Sequence, residues 1–243
     1  MKKVQAHYDE VAEIYDGRYD GKRGRDYHGH LSQRVMAWLP PGGQLLDIGC
    51  GTGLFIERYV GTSGPDGSTG SAVGLDISAG MIEKARLRSP ASDFLVGTAE
   101  VLPFKDGEFD AIASMLAFSY VPHPERMLEE SYRVLRPGGA IAICTLGRNA
   151  LTSVVPAIYR IGEKMDVHRI GMGDFGEHYY NEEEMEALLA DAGFTGVSVQ
   201  RCSFAHLNLA TPLYDLAKKV EPFIEARMPY LAYNVCAVGQ KPR

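Results

Sequence analysis

The segment LLDIGCGTG, residues 45–53, constrains the fold of this 243-residue chain more than any other segment. Apolar residues run into glycines at alternate positions, which is typical of a buried strand that ends in a tight turn. Further apolar runs follow at 72–77, 93–97, 109–116 and 140–146. Because such runs are typical of parallel strands covered on both faces, the sequence predicts an α/β, doubly wound, Rossmann-like sheet with helices on both faces.

Helical patterns lie before, between and after these strands. Apolar residues at helical spacing predict helices over 4–20, 27–39, 54–60, 79–88, 124–135 and 182–192. Ser78 is a predicted N-cap, and Asn181 with Glu184 forms a predicted capping-box variant. The segment RPGG, 136–139, predicts a turn that ends the helix before it.

The C-terminal third completes the sheet and adds segments that have no place in it. Residues 195–202 and 231–239 are predicted strands, which bring the sheet to seven strands. Residues 148–180 are too long for an ordinary connection, and 203–230 look helical. These two C-terminal insertions predict a helical cap over a ligand site.

Composition excludes several classes of function. The formal net charge of −6 gives no support for general nucleic-acid binding. The four cysteines form no CxxC pair, and the seven histidines form no metal-ligand pattern, so no metal site is expected. The N-terminus lacks a secretory signal, and no apolar run reaches about 18 residues, so no transmembrane segment and a cytoplasmic location are expected. Lys22, Arg23 and Arg25 form a basic cluster that suits a solvated loop, an anionic acceptor or a membrane headgroup.

The spacing of the glycines separates two classes of ligand. A dinucleotide fingerprint, G-x-G-x-x-G, would require glycine at position 54, where the chain has Leu54. The observed pattern is G-x-G-x-G. Together with AVGLDIS (72–78), GTAEVLPF (97–104) and RVLRPGG (133–139), it resembles the class I S-adenosylmethionine-dependent methyltransferases of the methyltransferase 11 type. That group includes quinone, phospholipid and small-metabolite methyltransferases, and the resemblance covers about residues 1–145.

The resemblance implies the parts of the cofactor site that contact the methionine end. The turn formed by Gly49, Cys50, Gly51 and Gly53 would let backbone atoms approach S-adenosyl-L-methionine, since a β-carbon there would keep the ligand away. Asp47 would help to order the turn and the cationic end of the cofactor. A glycine turn that serves only packing is the alternative.

The resemblance also implies contacts to the ribose. Asp76 ends the second strand, where a carboxylate can accept hydrogen bonds from a ribose diol, although a helix-capping role is the alternative. Ile77 and Met81 would flank the adenine, although Met81 could equally belong to the core.

Contacts to the adenine edge and the lid follow from the same comparison. Thr98, Ala99 and Glu100 would read the adenine edge, with Thr98 in place of the usual aspartate. Ser114 would face the methionine moiety. Tyr15, or with it Tyr8, would cover the sulfonium, because tyrosine faces attract cations, although an apolar helix stripe is the alternative.

No fixed catalytic residue follows from the sequence, because methyl transfer mainly requires that donor and acceptor are held close, aligned and dry. His123, His178 and Tyr120 are weak candidates for an acid or base. Family members commonly have histidine near this position, so Tyr120 is a departure from the family pattern.

The resulting hypothesis is a methyltransferase that acts on a small or lipid-like acceptor. Its expected divisions are an N-terminal helical lid (1–40), a cofactor-binding core (41–147), a cap segment (148–180) and the C-terminal part of the sheet (181–243) with the helical insertion 203–230. An RNA or protein methyltransferase, or a non-catalytic cofactor- or partner-binding protein, remains the alternative. A homodimer is compatible with the sequence, which does not reveal the oligomeric state.

Overall fold

The computed structural model describes residues 2–64, 67–148, 177–205 and 211–243. Eight helices lie in these ranges: α1 (Lys2–Tyr15), α2 (Gly17–Asp20), α3 (Lys22–Met36), α4 (Leu54–Val60), α5 (Ala79–Arg88), α6 (Pro124–Val134), α7 (Glu182–Asp191) and α8 (Thr211–Arg227). The strands are β1 (Gln44–Ile48), β2 (Ser71–Asp76), β3 (Asp93–Val96), β4 (Phe109–Met115), β5 (Leu135–Leu146), β6 (Thr195–Cys202) and β7 (Asn234–Gln240). Short 3-10 turns lie at Phe118–Tyr120 and Pro229–Leu231.

The strands form one seven-stranded sheet in the order β3-β2-β1-β4-β5-β7-β6. The first five strands of this order are parallel, and β7 runs antiparallel to both of its neighbours. Asp47 in β1 pairs with Gly74 in β2 and Ala113 in β4. The carboxyl ends of β1, β2 and β4 therefore meet at one edge, where the strand order reverses, and the predicted doubly wound fold is confirmed.

Adjacent residues of the central strand face opposite layers of the core. Leu45 packs with Leu31 and Phe55 on the face covered by α3 and α4, while Leu46 packs with Met127 and Met185 under α6 and α7. All six side chains are at most 2% exposed. The alternation in β1 and the helices on both sides explain why the predicted strands are apolar almost throughout.

Helix ends follow the local signals in the sequence. The Ser78 hydroxyl accepts from the backbone N–H of Met81 at 3.1 Å and begins α5. At α7, the Asn181 side chain accepts from the N–H of Glu184, and the Glu184 carboxylate accepts from the N–H of Asn181. Both predicted N-terminal caps are confirmed.

Four predicted boundaries were wrong. The helix expected at 27–39 is α3, which runs from Lys22 to Met36 and so places the basic cluster on a helix and not in a loop. The RPGG segment lies inside β5, as an irregularity where the β4–β5 register shifts between Phe109 and Ala111, and Gly138 adopts φ +85° there. The predicted helix 4–20 is two helices, because α1 ends at Tyr15 and α2 begins at Gly17. The last strand begins at Asn234, since a 3-10 turn that starts at Pro229 precedes it.

The C-terminal insertions are described in part. Most of the predicted cap segment 148–180 falls on residues 149–176, which lie outside the described residues. Within 203–230, α8 confirms the helical prediction from residue 211 onward. None of the helices in the described ranges combines the length and the apolarity that a membrane span requires.

Candidate functional site

A cleft lies where the carboxyl ends of β1, β2 and β4 meet. It is concave, mostly apolar and partly open to solvent, with a few polar groups in its lining, as is typical of small-molecule sites. Helix α1 covers it with Val4, Tyr8 and Tyr15. The residues predicted from the sequence that line it are Tyr15, Gly49, Gly51, Asp76, Ile77, Met81, Thr98, Ala99, Glu100 and Tyr120.

Two of the three glycines of the turn, Gly49 and Gly51, line the cleft. Gly49 (φ +75°) and Gly51 (φ +52°) both lie in the left-handed region that favours glycine. A β-carbon on Gly49 would lie 2.2 Å from the β-carbon of Ala117, whereas one on Gly51 would meet only the Tyr15 ring, at 4.0 Å. The Gly51 side of the turn is therefore open to a ligand.

Gly53 has a different role in the structure. It lies outside the cleft, and a β-carbon there would approach Ala85 at 3.3 Å and Phe94 at 3.6 Å. Gly53 also precedes α4 with φ +79°. These contacts explain the third glycine by helix packing and chain direction, without a ligand.

Asp76 connects the second strand to the glycine turn. Its Oδ2 accepts from the N–H of Gly51 at 2.8 Å, and its Oδ1 accepts from the N–H of Ser78 at 2.9 Å. Burial raises the pKa of Asp76, although hydrogen bonds from backbone N–H groups, those of Ser78 and Gly51 among them, oppose this rise. Each carboxylate oxygen can accept a second hydrogen bond, so the group can order the turn and still bind a diol.

Asp47 carries an unsatisfied carboxyl group beside the turn. Within the described residues, both of its oxygens are buried and lack a hydrogen-bond partner. Burial, followed by the nearby charge of Asp76, raises the pKa of Asp47 to about 8. Asp47 lines a smaller recess beside the cleft together with Tyr15, Tyr19 and Cys50. A cationic group placed in this recess would supply the missing partner.

The segment after β3 forms another wall of the cleft. Thr98, Ala99 and Glu100 all line it, and Glu100 is 9% exposed. The Oε1 atom of Glu100 is buried and has no hydrogen-bond partner in the described ranges. Met81 lines the cleft and also packs against Val11, so it belongs to the core, while its place beside an adenine stays a prediction.

The charge of the lining fits a cationic nucleoside ligand. Asp76 and Glu100 contribute carboxylates, and no lysine, arginine or histidine is among the described residues that line the cleft. A pyrophosphate would favour positive partners, whereas a sulfonium or an ammonium favours carboxylates and aromatic faces. The orphaned oxygens of Asp47 and Glu100 point to the same ligand chemistry.

Tyrosines from three elements form an aromatic wall on one side of the cleft. The Tyr8 ring centroid lies 6.2 Å from that of Tyr15 and 6.1 Å from that of Tyr120, and Tyr15 lies 5.7 Å from Tyr19. Burial raises the pKa of Tyr8, Tyr15 and Tyr120, so all three phenols are neutral near pH 7. Neutral phenols can donate hydrogen bonds and offer their ring faces to a cation.

The three candidate catalytic residues separate in space. Tyr120 lines the cleft and also a second cavity beside it, and His178 lines only that second cavity. The His178 ring packs on Tyr180 with centroids 4.4 Å apart. His123 lines neither cavity: it is exposed at the N-cap of α6, and its Nδ1 lies 3.4 Å from Glu125. Ser114 lines neither cavity, and its Oγ is buried with no partner in the described part of the chain.

Sequence reasoning missed residues that border the cleft. Leu116 and Ala117 follow β4 and line it, and Leu116 adopts φ +60°, which is unusual for a residue other than glycine. Strained backbone of this kind clusters at functional sites. The residue type of Leu116 carries no signal for this conformation. Ala117 carries no signal in the sequence either, and only the structure shows that its β-carbon lies against Gly49.

Comparisons with known proteins place this geometry in context. The family described as "Methyltransferase domain" matches residues 46–143. The chain is 29% identical over 208 residues to the demethylmenaquinone methyltransferase of Renibacterium salmoninarum, which covers 81% of this chain and 85% of the relative. It is 34% identical over 157 residues to the malonyl-[acyl-carrier protein] O-methyltransferase of Erwinia pyrifoliae, and this match covers 61% of this chain and 58% of the relative.

A solved structure shares the fold over nearly its full length. A SAM-dependent methyltransferase from Thermotoga maritima superposes with a TM-score of 0.69 at 24% identity, over 98% of this chain and 99% of that chain. The family match runs from within β1 to within β5, so it includes every strand end that borders the cleft.

Proposed function

We propose that this S-adenosylmethionine-dependent methyltransferase methylates a small or lipid-like acceptor bound next to Tyr120. The observation that carries this proposal is the second cavity. It shares Val4, Tyr120, Val121 and Pro122 with the cofactor cleft and extends toward Tyr180 and α7. A donor in the first cavity and an acceptor in the second would meet at this shared wall.

The lining of the second cavity favours an acceptor with an apolar body and a polar end. Apolar residues form much of it, with Val121, Pro122 and Leu188 among them. His178 and Glu184 supply polar groups at one side, where Nε2 of His178 lies 4.0 Å from a carboxylate oxygen of Glu184. The relatives are named for different acceptors, demethylmenaquinone and malonyl-[acyl-carrier protein], and therefore support the class of acceptor only.

The cofactor supplies a methyl group that its positive sulfur already activates. We propose that Asp76 accepts hydrogen bonds from the ribose, that Thr98, Ala99 and Glu100 border the adenine, and that Asp47 binds the ammonium group. The side chains of this chain would then hold and align the donor rather than attack it.

The roles on the acceptor side follow from position. Tyr8 and Tyr120 would exclude water from the path between the cavities, since both phenols are largely buried and neutral. His178 is the candidate that could take a proton from a protonated acceptor, because it lines the acceptor cavity, whereas His123 does not. Tyr120 contacts both cavities and is the candidate to orient the acceptor.

Calorimetric titration tests the cofactor part of the proposal. S-adenosyl-L-methionine and its demethylated product would be titrated into the wild type, Asp76→Asn and the control Asp93→Asn, whose side chain is exposed at the start of β3. The Asn side chain retains one acceptor oxygen for the turn but loses the charge, so we expect about tenfold weaker binding or more for Asp76→Asn only. Equal affinities for all three proteins would exclude the ribose role.

Transfer of a labelled methyl group tests the acceptor. The enzyme would be incubated with methyl-labelled cofactor and, in separate reactions, a lipid extract, a panel of small phenols and amines, RNA and protein. We expect label in the lipid or small-molecule reactions. Label confined to RNA or protein would overturn the acceptor proposal, and cofactor binding without transfer to any acceptor would favour a non-catalytic protein.

A further inference from the structure

Helix α8 presents a continuous apolar stripe to solvent. Leu213, Leu216, Val220 and Phe223 recur at spacings of three and four residues and therefore share one face of the helix. Their exposed fractions are 57%, 60%, 38% and 61%, and Tyr230 in the following turn is 57% exposed. In most surface helices of globular proteins, apolar residues at this spacing face the core.

The inner face of α8 fixes the orientation of the helix. The Glu221 carboxylate accepts from the backbone N–H of Ala205 at 2.9 Å, and the Glu225 carboxylate accepts from the N–H of Ser203 at 2.7 Å and pairs with His30 at 2.8 Å. The side chains buried on this face are Tyr214, Ala217 and Ile224. These hydrogen bonds and buried side chains hold the inner face in place. The outer stripe therefore stays exposed to solvent.

The exposed area of the stripe is moderate. Large side chains present up to about 150–250 Å² each, so five that are about half exposed present roughly 500 Å². This is comparable to the apolar part of a standard protein–protein interface, about 800 Å² on each partner and a little over half apolar, so the charge around the stripe has to distinguish a protein from a bilayer. A bilayer requires no complementary partner surface and can accept a single helix face.

Positive charge borders the stripe on a chain whose net charge is −6. Lys219 and Arg227 are exposed on α8, and neither forms an ion pair with another described residue. The basic cluster at the start of α3 lies next to the inner face of α8, because the Tyr214 hydroxyl donates to the backbone oxygen of Arg23 at 3.3 Å, and Lys22 in that cluster pairs with Asp26 at 2.6 Å. Asp215 is the acidic residue exposed on α8. Cations beside an apolar stripe complement anionic headgroups.

We propose that the outer face of α8, together with Tyr230, docks this protein on the surface of an anionic lipid bilayer. The apolar stripe would enter the boundary between headgroups and acyl chains, and Lys219 and Arg227 would remain at headgroup level. The helix lies in the plane of the surface and does not span the bilayer.

Vesicle co-sedimentation tests this proposal with the full chain. The probes are phosphatidylcholine vesicles and phosphatidylcholine vesicles that contain phosphatidylglycerol, each at low and high salt. The test variant is Phe223→Glu, and the matched control is Leu87→Glu, an equally drastic change at an exposed leucine (76%) on α5. Melting temperature and cofactor affinity of both variants report whether they remain folded.

We expect the wild type and Leu87→Glu to bind the anionic vesicles, more weakly at high salt, and Phe223→Glu to lose at least about tenfold in partitioning. A second variant, Lys219→Glu, should weaken binding to anionic vesicles without changing the residual binding to neutral ones. Absence of vesicle binding by the folded wild type, or unchanged binding by Phe223→Glu, would overturn the proposal. A concentration-dependent dimer that Phe223→Glu abolishes would assign the face to a second copy instead. Vesicle binding requires neither cofactor nor acceptor, so the outcome is independent of methyl transfer.

Discussion

Asp47→Asn separates the structural cost of the buried carboxyl from its proposed role in binding. A rise in pKa from the ordinary value of 3.8 to about 8 corresponds to a preference of about 6 kcal/mol for the protonated form. Burial is the main cause, and Asp76 adds to it. In the folded protein without ligand, Asp47 therefore holds a proton at pH 7 that the unfolded chain has released.

The sign of the pH dependence follows from this difference. Because the pKa of the folded state is raised, the free energy of unfolding falls as the pH rises from about 4 to about 8, by about 1.4 kcal/mol per pH unit. Asparagine has a similar shape and no proton to lose. The two proteins should be about equally stable below about pH 4, where Asp47 is protonated in both the folded and the unfolded state. The variant should then be more stable by about 3 kcal/mol at pH 6 and by about 6 kcal/mol at pH 9.

Urea unfolding at a series of pH values measures this difference. His28 acts in the opposite direction, since burial lowers its pKa to about 4 and stability is lost as the pH falls through 6.5 toward that value. His28 is present in both proteins, so its contribution cancels in the comparison. Parallel stability curves for the wild type and Asp47→Asn between pH 6 and 9 would refute the raised pKa.

Cofactor titration of the same two proteins tests the proposed contact. A cation bound at Asp47 requires the ionised carboxylate, so wild-type affinity should fall about tenfold for each pH unit below 8. The variant should bind about 10- to 100-fold more weakly above pH 8, without this pH dependence. Equal affinity of the two proteins at high pH would show that the ammonium group binds elsewhere.

Two further substitutions test the turn and a helix cap. Gly49→Ala should destabilise the protein by at least about 2 kcal/mol, because the new β-carbon overlaps Ala117 and the left-handed backbone is strained. The control Gly67→Ala has a similar backbone (φ +81°) and no neighbour within 4 Å, so it should cost only about 1 kcal/mol. Equal melting temperatures of the two variants would contradict the overlap. Asn181→Ala should cost about 1 kcal/mol through loss of the capping box, while the control Glu186→Ala on the same helix should change the melting temperature little; equal effects of both would exclude the cap.

Features encoded by a few neighbouring residues could be predicted from the sequence. The glycine turn, Asp76 after the second strand and the Ser78 and Asn181 caps each depend on a short local pattern. The parallel core was predictable for a similar reason, since buried strands must be apolar on both faces. The apolar pattern was less exact about the ends of elements, and the irregularity near the start of β5 looked like a turn.

Features that depend on long-range pairing could not be predicted. Cys144, Cys202 and Cys236 form no sequence motif, yet the order β5-β7-β6 brings all three together, and the Sγ atoms of Cys202 and Cys236 lie 2.8 Å apart. His123 and His178 looked alike in the sequence. Only the folded chain shows that His178 reaches a cavity, while His123 is exposed at a helix start.

Helix α1 also determines how ligands can enter and leave. Its side chains cover the cleft, and its attachment to α5 combines the packing of Val11 against Met81 with polar contacts: Asp9 accepts from the Ser78 hydroxyl at 2.6 Å, and Glu13 pairs with Lys84 at 2.6 Å. We expect that a spent cofactor leaves after α1 separates from α5, so that each turnover includes an opening step. The rate of that step, which hydrogen exchange of the α1 amides would report, sets an upper limit on turnover that the methyl-transfer chemistry cannot exceed.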